Sequence, residues 1–387
     1  MELLPPEINI NFLLYLPYQD ILAFCQSNRT YYNLCNDVYF WATKAFVEFK
    51  IDPNYFYLNS KHPRLLYLDI ANLYNKCILN RNNIKQCIFD IALKGDFYLV
   101  SYLLSFEFNL NAALAGASIG GHLDLVEYLL SYIQPTANIL KLILDNAAES
   151  GHLNIVNYIL LLGVTINCND ALSMTIINNN FEISKLLIDQ CATNLDEALN
   201  LAAREDRLKI IIYLLEVKLF KPSLVNLNQA LENAAKGGSI NIIDYLINHG
   251  ATDIDVALLI AVSYNNKELI NHLVEYYRLT DLDDALYLAS SNGFVDIVTY
   301  LIKHGATDLN GALESAASNG QLDVVKYLIL VGADQLANAL EAAIYSQSDD
   351  KFIIIRYLID NGADLNTAYS IATRINDRAT LEFLNLF

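Results

Sequence analysis

The sequence predicts an all-α chain, a solenoid of about eleven short helix-turn-helix repeats preceded by a small three-helix unit. Three observations carry this expectation. One cassette recurs from about residue 85 to the C-terminus, with clear copies at Ala285-Leu-Tyr-Leu-Ala-Ser-Ser-Asn-Gly293-Phe-Val-Asp-Ile-Val-Thr-Tyr300 and Ala312-Leu-Glu-Ser-Ala-Ala-Ser-Asn-Gly320-Gln-Leu-Asp-Val-Val-Lys-Tyr327. Within it, apolar residues return at the spacing of helices. Residues 4 to 41 lie outside its phase and carry Leu-Pro motifs of their own. An array of this kind buries residues by stacking like on like, which leaves a long surface for another protein and no obvious pocket for chemistry.

With the first alanine of each cassette as a phase marker, the copies fall at Cys87, Ala113, Ile143, Ala171, Ala198, Ala230, Ala257, Ala285, Ala312, Ala339 and Ala368. The steps run from 26 to 32 residues, most often 27 or 28. Fifteen positions after the marker stands Tyr102, Tyr128, Tyr158, Leu186, Tyr213, Tyr245, His272, Tyr300, Tyr327 or Phe383. Only the copy at Ala339 departs, because Tyr345 to Asp350 lengthen its turn and push Tyr357 three positions out.

Each cassette reads as two short helices. Asn or Asp two residues before the marker, at Asn111, Asn169, Asp196, Asn228, Asp255, Asp283, Asn310 and Asn366, is expected to cap the first helix by accepting its orphan N–H groups. Ala-Leu-x-x-Ala-Ala makes that helix thin, so the next repeat approaches closely. Gly95, Gly121, Gly151, Gly238, Gly293 and Gly320 close it in a left-handed conformation. The second helix carries apolar residues at three- and four-residue spacing, such as Leu322, Val325, Leu328 and Ile329, and ends at Gly-Ala.

Gly121-His122-Leu123-Asp124-Leu125-Val126-Glu127-Tyr128, Gly151-His152-Leu153-Asn154-Ile155-Val156 and Gly332-Ala333-Asp334 make this cassette resemble the ankyrin repeat. The family's Thr-Pro-Leu-His opening is replaced by Asn/Asp-x-Ala-Leu, and each unit is about five residues shorter than the family's 33. The missing residues belong to the hairpin between repeats, so shortened fingers are expected. Recognition then shifts to the exposed row on the first helices, where Ile119, Ile177, Tyr264 and Tyr345 are the expected anchors for a target protein. Such short, Asn-, Ile- and Tyr-rich units resemble those in the ankyrin-repeat proteins of large, mimivirus-like DNA viruses.

At the N-terminus, Pro5, Pro6 and Pro17 bracket an apolar helix from Ile8 to Leu16. Asp20 stands at the start of a second helix with Ile21, Leu22, Phe24 and Cys25, and a third holds Tyr31, Leu34 and Cys35. A unit this small has a marginal core and leans on a partner or on the rest of the chain. Leu4-Pro5-Pro6-Glu7-Ile8, Tyr15-Leu16-Pro17, Asp20-Ile21-Leu22 and the closing Asp37-x-x-Phe40-Trp41 resemble, without a gap, an F-box, the motif that docks substrate receptors on the Skp-type adaptor of cullin ubiquitin ligases. Where that family often has Val-Cys-Lys-Arg-Trp, this chain has Ser27-Asn28-Arg29-Thr30-Tyr31. The resemblance implies that Leu4, Pro5, Pro6, Ile8, Leu16, Pro17, Ile21 and Leu22 bear on the adaptor, while Trp41 closes the small core. Residues 1–41 are thus expected as the F-box-like unit, 42–84 as a helical connector and N-terminal cap, and 85–387 as the array.

A net charge of −18 with no clustered Lys and Arg argues against a nucleic-acid partner. The N-terminus is acidic where a secretory signal is basic, and the longest apolar stretch, Leu153 to Ile166, is interrupted and follows the repeat phase, so no membrane segment is expected. Six scattered cysteines without CxxC spacing read as reduced thiols of a cytoplasmic protein, in a host cytoplasm if the source is viral, with the nucleus open. His122 and His152 share one turn and His249 and His304 another, so they recur because the repeat recurs. Asp349-Asp350 and Asp281 with Asp283-Asp284 read as solvated helix starts. No phosphate loop, nucleophile elbow, HExxH or zinc spacing is present, so neither cofactor, metal nor catalytic residues are expected. Two readings follow: an adaptor that brings a ubiquitin ligase to a bound target, or a scaffold or sequestering protein whose N-terminus is only a cap.

Overall fold

The structure is a computed structural model that describes residues 11–27, 29–79, 84–106, 109–218 and 220–387. Among these there is no strand. The chain divides into two compact units between Thr193 and Asn194.

The first unit begins with α1 (Tyr18–Ser27), α2 (Arg29–Leu34), α3 (Val38–Phe49), α4 (Asn54–Leu58) and α5 (Pro63–Leu73), the last running into a π-helical turn at Tyr74–Leu79. Each start has a local cause. Asp37 caps α3 by accepting the Tyr39 N–H at 2.9 Å. Pro63 opens α5 at the position where its missing N–H costs nothing. Between these helices lies one aromatic core. Trp41 is fully buried, its ring centroid lies 4.9 Å from that of Tyr67, and its indole N–H donates to the Cys35 carbonyl at 2.7 Å. Around it pack Leu13, Leu14, Ile21, Phe40, Ala45, Tyr55, Phe56, Leu66 and Ile70, and the same cluster reaches Leu99 in the first repeat.

Four repeats follow in this unit. Their first helices are α6 (Ile84–Leu93), α8 (Leu110–Gly120), α10 (Ala137–Glu149) and α12 (Asn169–Ile177). Their second helices are α7 (Phe97–Leu104), α9 (Leu123–Leu130), α11 (Leu153–Leu161) and α13 (Phe181–Gln190). The second unit holds seven more pairs, from Leu195–Arg204 to Arg378–Leu384. All eleven phase markers are buried, which is the packing an alanine at that position permits. At Gly116 a Cβ would collide with the Phe89 carbonyl oxygen, so α6 and α8 approach as closely as a bare backbone allows.

The turn closing each first helix takes a positive φ at Gly95, Gly121, Gly151, Gly238, Gly293 and Gly320, as expected. Where a repeat has no glycine, Asn179, Asp206, Asn265 and Asn376 adopt it instead, the residue types that tolerate it best. At Gly95 and Gly121 the imidazole of the next repeat covers this turn. His152 lies over Gly121 with Nε2 2.7 Å from the Ile119 carbonyl oxygen, and His122 reaches the Leu93 carbonyl in the same way at 3.1 Å. These histidines therefore join repeats through backbone carbonyls.

Two expectations need correction. The Asn or Asp two residues before the marker does not cap its own helix; the cap is two residues earlier still, at Asn109, Asn194, Asp308 and Asp364. In four repeats the residue at this phase reaches forward to the loop of the next repeat, 24 residues on: Asn169 to Thr193 N–H, Asn228 to Thr252, Asp283 to Thr307, and Asn310 to Asp334. With the hairpin shortened, a side-chain carbonyl or carboxylate accepts bonds from the backbone of the neighbouring loop, and at these four places one loop is stitched to the next without a strand. The cysteines, expected as six separate thiols, are paired: Cys25–Cys35, Cys77–Cys87 and Cys168–Cys191, each with Cα atoms 6.0 Å apart. Antiparallel neighbouring helices bring together positions that spacing alone leaves apart. The cysteine pattern therefore no longer speaks for a reducing compartment.

Candidate adaptor and target surfaces

Two surfaces correspond to the residues singled out above. At the N-terminus, Leu4, Pro5, Pro6 and Ile8 lie outside the described residues. Leu13 and Leu14 turn into the aromatic core, and that alternation throws Phe12 and Tyr15 outward, 54% and 76% exposed. Leu16 is half-buried against the core, Pro17 is exposed and Leu22 is half-buried. Ile21 is wholly buried, so it supports this face from beneath. An amphipathic helix has only one inward stripe, and Ile21 and Cys25, four apart on α1, are that stripe.

The loop at Leu14 to Leu16 is held by a residue that sequence reasoning missed. Lys44 on α3 is fully buried, and its ammonium donates to the carbonyls of Leu14 at 3.0 Å and Leu16 at 2.9 Å and to the Glu48 carboxylate. A buried ammonium is tolerated only when paired and hydrogen-bonded, and here all three of its donors are used. Tyr67 donates its hydroxyl to the other Glu48 oxygen, and burial together with that carboxylate raises the Tyr67 pKa far above its ordinary value. The chain Leu16–Lys44–Glu48–Tyr67 thereby ties the Leu16-Pro17 loop to α5. No sequence signal marks Lys44, because a lone lysine in an amphipathic helix reads as a solvated residue.

Of the expected target anchors, Ile119 on α8 is half-buried and Ile177 at the end of α12 is 42% exposed. In the second unit Tyr264 is 62% and Tyr345 49% exposed. The Tyr345 hydroxyl lies 3.1 Å from Arg374 Nη2, which also pairs with Glu341 at 2.6 Å. Each unit therefore presents two of the four. Asp349 and Asp350 sit in the turn before Lys351–Asp360, and Asp283 is engaged with the Thr307 loop. Among the described residues no group of three or more His, Cys, Asp or Glu side chains is arranged to hold a metal ion, and no helix is long and apolar enough to cross a membrane.

The fold and these surfaces define a helical repeat protein joined to a small helical unit with its own aromatic core. A family model for ankyrin repeats matches in three copies, over residues 88–170, 144–226 and 258–339, and one for the F-box domain matches residues 1–43. Together the ankyrin copies span more than half of the sequence, and the chain belongs to the ankyrin-repeat family, with an F-box domain at its N-terminus. Among curated proteins no relative matches. Ankyrin repeats and F-boxes are typically interaction modules rather than catalysts.

Proposed function

We propose that the chain is a substrate-receptor adaptor: its ankyrin array holds a target protein while the F-box brings a Skp-type adaptor and its cullin ubiquitin ligase to that target. No catalysis occurs in the chain itself, and neither nucleic acid nor membrane takes part. The observation that carries this reading is the exposed aromatic and proline face of Phe12, Tyr15 and Pro17, held in place by the buried Lys44. A terminal cap needs no such outward face. In the leading reading this face, with Leu16, Leu22 and the N-terminal Leu4, Pro5, Pro6 and Ile8, meets the adaptor. Ile119, Ile177, Tyr264 and Tyr345 meet the target. The protein acts in the cytoplasm or nucleus, where its cysteine pairs would stand as neighbouring thiols.

One observation favours the alternative of a scaffold or sequestering protein: the core around Trp41 extends to Tyr67 and Leu99, as a cap's would. Deleting residues 1–41 would therefore destabilise the chain under either reading, and binding must decide. Tagged protein should retrieve a Skp-type adaptor from cell extract, and Tyr15→Asp, at an exposed site, should abolish retrieval without lowering Tm. Folded wild-type protein that retrieves none, or a Tyr15→Asp protein that retrieves as much, contradicts the proposal.

A further inference from the structure

The outer row of second helices contains a gap. In the first unit the rings of Phe97 on α7 and Tyr128 on α9 lie 4.1 Å apart between centroids, and the hydroxyls of Ser101 and Tyr128 are 3.2 Å apart. The three residues stand at positions +10, +15 and +14 from their markers Cys87, Ala113 and Cys87. Two repeats later the same positions, counted from Ile143 and Ala171, hold Leu153, Leu186 and Asn157. Two leucines replace two aromatic rings, and a carboxamide stands in place of the hydroxyl that met the tyrosine.

Between α11 and α13 the result is an open cleft of about 490 Å³, lined by Leu153, Asn154, Asn157, Glu182, Lys185, Leu186 and Asp189. That volume falls within the roughly 300–1,000 Å³ typical of ligand sites. Leu153 is 43% exposed, so apolar surface in this cleft faces solvent, whereas Phe97 at the same position, 37% exposed, carries the Tyr128 ring across it.

We propose that this cleft docks an aromatic side chain, tyrosine above all, from a protein partner whose flanking residues are basic. The ring would lie on Leu153 and Leu186, as Tyr128 lies on Phe97, and its hydroxyl would meet the Asn157 carboxamide as that of Tyr128 meets Ser101. Glu182 and Asp189 against the single Lys185 give the rim an acidic excess, in a chain of net charge −18, and so select Lys or Arg beside the tyrosine. The site lies on the second helices, away from the first-helix row, and does not depend on the adaptor reading.

Three probes test it by NMR titration of the full chain: p-cresol, acetyl-Lys-Tyr-Lys-amide and acetyl-Glu-Tyr-Glu-amide. p-Cresol should shift resonances of residues 153–161 and 182–189, and the basic peptide should bind more tightly than the acidic one. Leu186→Tyr, which restores the ring from within, should weaken p-cresol and the basic peptide by about tenfold or more, the scale of one lost aromatic contact, without lowering Tm. If Leu186→Tyr fails to fold, Leu153→Ser at its exposed position serves in its place with the same expected loss. Absent binding by p-cresol up to its solubility, undiminished binding in the folded variant, or equal affinity for the two peptides overturns the proposal.

Discussion

Around Trp41 the buried side chains are large and unlike one another: Trp41, Phe40, Tyr55, Phe56, Tyr67 and a lysine. From the first repeat onward the interior is mostly Ala, Leu, Ile and Val with a few small polar side chains such as Thr175 and Ser184, and Tyr213 is the one buried aromatic among the described residues. The first region is held by contacts that occur once, such as the Trp41 N–H to the Cys35 carbonyl or Lys44 to the Leu16 carbonyl. The second is held by contacts that recur, as Asn228 to Thr252 recurs in Asn310 to Asp334. Losing a unique contact should disable its whole region, whereas losing a recurrent one should loosen a single interface and leave its neighbours to compensate.

The hardest way to break this comparison is Trp41→Ala. Emptying the centre of the aromatic core should cost about 3–5 kcal/mol, and hydrogen exchange should show protection lost from α1 to α5 while the second unit keeps its own. Loss of protection throughout the second unit would mean that the regions are not separately held. Next, Lys44→Met keeps the stem but leaves the Leu14 and Leu16 carbonyls without their donor, an expected cost of about 2–4 kcal/mol. Its fingerprint is faster exchange at Tyr15 and Leu16 and loss of adaptor retrieval with the array intact.

Asn310→Ala removes the acceptor for the N–H groups of Asp334 and Gln335 and should cost about 1–2 kcal/mol by chemical denaturation, with exchange raised only at that loop. A cost as large as that of Lys44→Met would erase the distinction between unique and recurrent contacts. The smallest effect depends on pH. Asp377 caps the last helix; burial opposes its charge, but hydrogen bonds from Lys351 and Thr380 outweigh burial and its pKa falls to about 2. Because the folded carboxyl binds its proton less readily than an unfolded one near 3.9, its contribution is complete above that value and is lost as pH falls through about 2. Asp377→Asn should therefore cost about 1–2 kcal/mol at pH 7 and much less at pH 2, measured as the difference in C-terminal stability. An unchanged difference at pH 2 would contradict this assignment.

Much of the fold was legible in the sequence because a solenoid repeats its local causes. The small marker residues, the left-handed turn glycines and the +15 row announce helices, turns and the second helix in most copies. What sequence did not show lies between elements. Asn310 before Ala312 reads as a cap because side chains of that type cap nearby helices, yet the groups it serves lie 24 residues ahead, where the short loop of the next repeat passes. The pairing of Cys25 with Cys35 likewise follows from how α1 and α2 turn back on each other. At the N-terminal face, the motif drew attention to Ile21 and Leu16, but helical phase sends Ile21 inward and leaves Phe12 and Tyr15 outside. Lys44 was invisible because its burial depends on the whole core above it.

The central claim is that the face around Tyr15 and Pro17 recruits an adaptor while the array remains available for a target. Hydrogen exchange of the full chain with and without a purified Skp-type adaptor tests this most directly. The account predicts slowed exchange confined to the N-terminal face, at residues 11–27, with the repeats unaffected. No slowing anywhere at saturating adaptor, or slowing along the repeats, would contradict it.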